Sequence, residues 1–389
     1  MSMLVDAAAG WIAAGPPAVR DCTHLLEEGV RGVFLDGATY RGRPTRVFAW
    51  IGVPAGATAA RQVPGVVLVH GGGGTAFARW VRFWNRRGYA AIAVDTCGAM
   101  PLPDTGIIGS ADWPRHSYSG PPGWGAFDQS TWEPKDQWIY HACAAVVRAH
   151  SVLASLPEVD TSRIGITGVS WGGFLTCLVA GIDDRFACAA PVYGCGFVTH
   201  ESTWVSTGAF DRMTGEAVAY WRDNWDPASV LSRVGAPMLW LNGTNDFAYW
   251  PPVWQRSAAS TLSARHLCLK LRWPHGHIPE AEEAREIGAF FDAQLNGAVP
   301  LLTVSAPAVS DGTILVSYGS ERPLRHASLL CTVDGGQWPG REWHHMHASI
   351  HRAEQQISAV MPHGTTAACI SALSDDYLTT TSDLVFTRA

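Results

Sequence analysis

Charge is scarce in this chain. Asp, Glu, Lys and Arg make up only 16% of 389 residues and apolar side chains 47%, so long disordered stretches are not expected and much of the chain should be buried. The charge that exists is slightly acidic, 28 basic against 34 acidic side chains, for a net charge of -6. That balance leaves no electrostatic footprint for nucleic acid or for an anionic membrane, and neither partner is expected. Long apolar runs are also missing. None reaches the roughly 18 residues of a membrane span, and Met1 to Gly15 lack the basic start and apolar stretch of a secretion signal. The chain as written is therefore expected in the cytoplasm, with secretion the alternative if a signal has been removed. Paired cysteines are lacking too: the nine present never fall in a Cys-x-x-Cys spacing and read as reduced thiols of the core.

Tryptophan, by contrast, is abundant. Eighteen are present, concentrated between Trp80 and Trp138 and between Trp204 and Trp273. Sugars stack on such rings, although core filling is the larger expectation for any single one.

The most informative stretch is Gly168-Val169-Ser170-Trp171-Gly172-Gly173, set between a strand-like run from Arg163 to Thr167 and a helix-like run from Phe174 to Ala180. Glycines on both sides of a serine permit a sharp strand-to-helix turn that leaves no room for a Cβ, and this arrangement reads as a nucleophile elbow. Ser170 is the expected nucleophile.

The rest of the chain alternates around that turn. Residues 1–30 read as a lead-in, followed by antiparallel strands around 33–35, 37–40 and 46–54. The apolar run Pro64 to His70 ends in Gly71-Gly72-Gly73-Gly74, as expected of a buried parallel strand whose following loop needs backbone freedom. A helix carrying Trp80 and Trp84, a strand from Tyr89 to Asp95 and a helix from Trp138 to Leu156 complete βαβ units leading to the elbow. Two long aromatic excursions, 96–134 and 194–227, are placed to form walls or a mouth around the serine. Further strands end at Asp246 and at Pro274-His275-Gly276-His277. From Pro300 short alternating segments suggest an antiparallel β-sandwich. The expected organisation is α/β: a catalytic domain over 1–299, with its sheet mostly parallel, and a small sandwich over 300–389.

A serine hydroxyl becomes nucleophilic when an imidazole takes its proton and a carboxylate orients that imidazole. Asp246 and a histidine after the next strand satisfy the chain order serine, acid, histidine. Asp95 is a weaker candidate for the acid, with Asp223 and Asp226 as fallbacks. His275 and His277 compete for the base. The Gly-His context and following helix favour His277, leaving His275 to the pocket with Trp124 and Trp113. His24, His116, His141, His150 and His200 read as structural. The oxyanion donors are expected to be the backbone N–H groups of Trp171 and Gly72. The glycine loop lacks a phosphate-binding spacing. His344-His345-Met346-His347 and His351 lack accompanying acidic or cysteine ligands, so neither metal nor cofactor is expected.

Taken together, the glycine loop, the Gly-Val-Ser-Trp-Gly-Gly elbow, Asn-Gly-Thr-Asn-Asp-Phe around Asp246 and Pro-His-Gly-His resemble the α/β-hydrolase superfamily. Within it the chain looks most like acetyl xylan esterase-like hydrolases related to dienelactone hydrolases and the prolyl oligopeptidase catalytic domain. The resemblance covers about residues 30–297, and the sandwich also looks like an appendage of that group. It implies a serine esterase acting on a small-molecule or polysaccharide ester, by analogy an acetylated xylan-type carbohydrate. A general short-chain carboxylesterase, a prolyl oligopeptidase-like peptidase and a non-catalytic carbohydrate-binding scaffold are the alternatives. Trp338 and Trp343 are the sandwich aromatics to inspect for glycan binding, with packing against the hydrolase the larger expectation.

Overall fold

A computed structural model describes residues 3–101, 113–125, 127–319 and 321–387. The fold begins with helix α1 (Met3–Ala13) and three strands, β1 (Val19–Glu27), β2 (Val30–Asp36) and β3 (Arg46–Gly52), paired antiparallel in that order. Strand β1 falls within the expected lead-in. Its exposed outer positions give it little of the apolar signature by which buried strands are recognised.

The parallel core follows. Strand β4 (Val63–Val69) leads through α2 (Ala78–Arg86) to β5 (Ala90–Val94), and α3 (Trp138–Ala154) leads to β6 (Val159–Val169). From β6 the chain enters α4 (Trp171–Ile182), then β7 (Cys188–Val192), β8 (Met238–Gly243) and β9 (Arg265–Lys270). The spatial order β3-β5-β4-β6-β7-β8-β9 is parallel from β5 onward. Successive crossovers leave β4 on opposite sides, to β5 and then to β6. The C-terminal ends of β4 and β6 therefore flank the point where strand order reverses, where open α/β sheets leave a crevice. Near-continuous apolar burial along β4, β5 and β7 reflects a sheet covered on both faces.

The helix expected after His277 comes in two pieces, Pro279–Glu282 and Arg285–Asn296. Gly297, with φ 66°, closes the second piece in the left-handed conformation. Beyond it the chain forms two antiparallel sheets around a second apolar core that includes Ile314, Leu329, Ile357 and Ile370. One sheet is not separate from the main one. Strand Thr379–Thr381 pairs with β9 through Thr381 and Leu267, so the large sheet runs on into the C-terminal region.

Most tryptophans fill the core. Trp80, Trp84, Trp138, Trp221, Trp225, Trp240, Trp254 and Trp343 are all fully buried. Trp338 and Trp343 pack against each other with ring centroids 6.4 Å apart, so neither is the exposed platform a glycan needs. All nine cysteines are buried and free. No described helix is long and apolar enough to cross a membrane.

Candidate active site

Ser170 stands between β6 and α4 with φ 59° and ψ -117°, a region that side-chain-bearing residues rarely occupy. Its neighbours explain how the turn closes. A Cβ on Gly168 would lie 2.3 Å from the Gly172 carbonyl oxygen, one on Gly172 would lie 2.0 Å from the Val69 oxygen, and one on Gly173 would lie 2.5 Å from the Val192 oxygen. Only glycine permits these approaches. The Ser170 N–H donates to the Val192 carbonyl at 2.9 Å, tying the elbow to β7.

The imidazole facing the serine is that of His275. Its Nε2 lies 2.8 Å from Ser170 Oγ and its Nδ1 lies 2.6 Å from Asp246 Oδ2. The other carboxylate oxygen of Asp246 accepts from the backbone N–H groups of Ala248 and Tyr249, at 2.9 and 2.6 Å. The buried acid is thus fixed by its own loop and uses its free oxygen on the histidine. The ring of Tyr193 stacks on His275 with centroids 4.3 Å apart, and the Tyr193 hydroxyl donates to the Pro274 carbonyl at 2.6 Å. Phe247 approaches the same imidazole at 4.6 Å.

The placement of His277 next to the serine is corrected by this geometry. His277 is buried, its Nε2 accepts the Gly71 N–H at 2.7 Å, and its Nδ1 lies 2.9 Å from Glu282 Oε1. Both ring nitrogens are occupied away from Ser170. Burial, with lesser contributions from nearby His70 and Arg79, pushes the imidazole below its ordinary pKa despite Glu282. Burial alone would raise the Glu282 carboxyl, but His277 and Arg79 outweigh it and hold that group below its usual range.

The glycine loop lies opposite. The Gly71 carbonyl oxygen is 2.7 Å from His70 Nδ1 and accepts the Gly74 N–H at 3.1 Å. In a planar trans peptide the N–H opposes the C=O, so the N–H of Gly72 points away from those partners. Gly72, Trp124, Trp171, Trp204 and Phe247 line a cavity of about 550 Å³ that contains Ser170 and His275. Trp124 is 42% exposed and stands directly over Gly72. Trp113, expected in the pocket, does not line this cavity: its indole N–H donates to the Gly73 carbonyl at 3.1 Å and so braces the loop from behind. Thr203 and Trp204 bring the second aromatic excursion to the wall. The part of the first excursion from 102 to 112 lies outside the described residues.

The remaining candidates have other duties. Asp95 accepts the backbone N–H groups of Cys97, Gly98 and Ala99 and shapes that turn. Asp226 accepts those of Phe197, Val198 and Ala228. Asp223 pairs with Arg222 on the surface. The histidine strand His344–His347 is exposed. Among the described residues no group of three or more His, Cys, Asp or Glu side chains is placed to hold a metal ion.

A serine, histidine and carboxylate in line at the C-terminal ends of parallel strands define a serine hydrolase on an α/β-hydrolase scaffold. Comparison with known proteins agrees. The acetyl xylan esterase family matches residues 33–206, a span that includes Ser170 and the glycine loop. The fold is similar to that of an acetyl xylan esterase from Paenibacillus sp. R4, with TM-score 0.59 and 23% identity over 75% of this chain and 94% of that one. It is also similar to acetyl xylan esterase 1 from Thermoanaerobacterium sp. JW/SL YS485, with TM-score 0.57 and 15% identity over 72% and 90% of the two chains. A probable dipeptidyl-peptidase 5 of Emericella nidulans is 28% identical over 55% of this chain, and the match spans only 28% of that protein's length. The fold is that of the α/β-hydrolases.

Proposed function

We propose that the protein hydrolyses short-chain carboxylic esters of neutral alcohols, with acetylated carbohydrate of the xylan type as the favoured substrate class. The observation that carries this reading is the hydrogen-bonded line Ser170–His275–Asp246 opening into a cavity whose lining, among the described residues, includes no Asp, Glu, Lys or Arg. A peptidase that removes dipeptides must accommodate a substrate ammonium close to the scissile bond, and a buried unpaired charge there is costly. A neutral acyl group and a hydroxylated, partly apolar leaving group suit aromatic walls better. The match to the acetyl xylan esterase family supports the acetyl ester.

In this reading Ser170 Oγ attacks the ester carbonyl carbon while His275 Nε2 takes the hydroxyl proton, and Asp246 stabilises the imidazolium. The carbonyl oxygen becomes an oxyanion, received by the N–H groups of Gly72 and Trp171, the latter at the first position of α4. Collapse breaks the bond to the alcohol, which leaves with the proton from His275. Water then enters, gives a proton to the same nitrogen and attacks the acyl-enzyme, releasing the acid and restoring Ser170.

The test is hydrolysis of aryl esters from acetate to octanoate, with acetate release from acetylated xylan measured in parallel. Turnover that falls with chain length, together with acetate release, is expected. Activity on long chains without acetate release identifies a general carboxylesterase instead. Cleavage of dipeptidyl amides with no ester turnover overturns the reading in favour of a peptidase.

A further inference from the structure

Sequence alone made His277 a candidate base, and its placement raises the question of what a buried neutral imidazole does two residues from His275. Its hydrogen bonds fix its tautomer. Nε2 accepts the Gly71 N–H, so the ring proton sits on Nδ1 and is donated to Glu282 Oε1. Glu282 is in turn gripped by Arg79, whose Nη2 and Nε donate at 2.6 and 3.0 Å, and its own carbonyl accepts the Trp80 indole N–H at 2.9 Å. The rings of Phe77 and Trp80 pack against the imidazole at 4.9 and 5.8 Å. Helix α2 and the short helix Pro279–Glu282 are thereby locked to one backbone amide of the glycine loop.

We infer that His277 is a positioning residue for the oxyanion site, holding Gly71 so that the adjoining peptide presents the Gly72 N–H to the transition state. Gly71 is held on both sides. His277 takes its N–H, while its carbonyl receives a hydrogen bond from His70 Nδ1, whose own Nε2 accepts the Thr96 N–H at 2.9 Å. Two neutral imidazoles, both protonated on Nδ1, therefore set the peptide planes before and after Gly71. A glycine-rich loop has wide backbone freedom and would otherwise sample many orientations. Preorganised donors are effective because they need no reorganisation as charge develops. Arg79–Glu282–His277–Gly71 resembles the Asp246–His275–Ser170 line in composition, but it ends on a backbone amide instead of a nucleophile. It orients a donor and carries no proton.

This inference rests on the proposed serine-ester chemistry, and its test keeps the two separable. Wild type, His277→Ala and His277→Gln are compared by kcat and KM on an aryl acetate, by fluorophosphonate labelling of Ser170, and by thermal melting. Glutamine offers a carbonyl oxygen to Gly71 and an N–H to Glu282, reproducing both hydrogen bonds. His277→Ala should lower kcat about 10- to 100-fold, the scale of a displaced oxyanion donor, with KM changed less than about threefold. His277→Gln should recover most of that loss. If the alanine variant does not fold, Glu282→Ala, which removes the partner that fixes the tautomer, should lower kcat in the same sense. The inference is overturned if folded His277→Ala keeps wild-type kcat, or if glutamine is no better than alanine at equal thermal stability. Wild type that neither labels nor turns over any ester refutes the underlying chemistry instead.

Discussion

Ser170 pays for its exposure with backbone strain of order 1–3 kcal/mol, held in place by β6, β7 and the glycines around it. Because the strain belongs to the backbone, Ser170→Ala should leave thermal stability within about 1 kcal/mol of wild type while turnover falls about a million-fold; activity assay and melting on one preparation check both. Asp246→Asn retains the shape but favours the wrong His275 tautomer, and kcat should fall by about four orders of magnitude. The places of Ser170 and Asp246 on either side of an imidazole are legible in the sequence because each residue follows a strand and carries a distinctive local pattern. The choice between His275 and His277 is not. Both lie on the same short stretch, and what separates them is a contact with Gly71, 206 residues away, that no local spacing records.

Helix α3 was visible from its apolar spacing, but the state of its histidines depends on packing. His141 and His150 are buried, and burial holds each at about 4. In the unfolded chain they titrate near 6.5, so between about 6.5 and 4 the unfolded state binds protons that the folded state does not. Stability should fall as pH drops through this window, by up to about 3 kcal/mol for each histidine. Asp226 works in the opposite sense: burial raises its carboxyl to about 6, so its protonation on acidification relieves a penalty present at neutral pH. With two histidines against one carboxyl, the net expectation is a falling melting temperature from pH 6.5 to 4. His150→Leu should flatten that fall, and an unchanged slope would contradict the assignment. The acid loop makes a second prediction at this scale. Asn245, next to Asp246, donates through Nδ2 to the carbonyls of Pro339 and Arg341, at 3.1 and 2.7 Å. Asn245→Ala leaves both carbonyls without that donor and should lower kcat more than a control substitution at exposed Leu262.

Across the whole molecule, the C-terminal region is more tightly joined to the hydrolase than its composition suggests. The alternating strands after Pro300 announce a sandwich, yet one of its sheets extends the main sheet past β9. Arg265 pairs with Asp383, and the Thr379 N–H donates to Glu286 at 3.1 Å. Trp338, Trp343, Leu378 and Leu384 belong to the same apolar cluster as the catalytic strands. Such contacts are invisible to any local reading, since they join residues about a hundred positions apart. A chain ending at residue 299 would expose the β9 edge and this apolar surface, so it should aggregate or melt well below the full chain. A monomeric truncated form with unchanged melting would show the sandwich to be dispensable for stability.

The most direct test of the central claim is fluorophosphonate labelling followed by peptide mass mapping of wild type, Ser170→Ala and His275→Ala. A single adduct on the Ser170 peptide is predicted, absent in Ser170→Ala and formed far more slowly in His275→Ala. Labelling at another residue, or undiminished labelling without His275, would contradict the assignment of nucleophile and base.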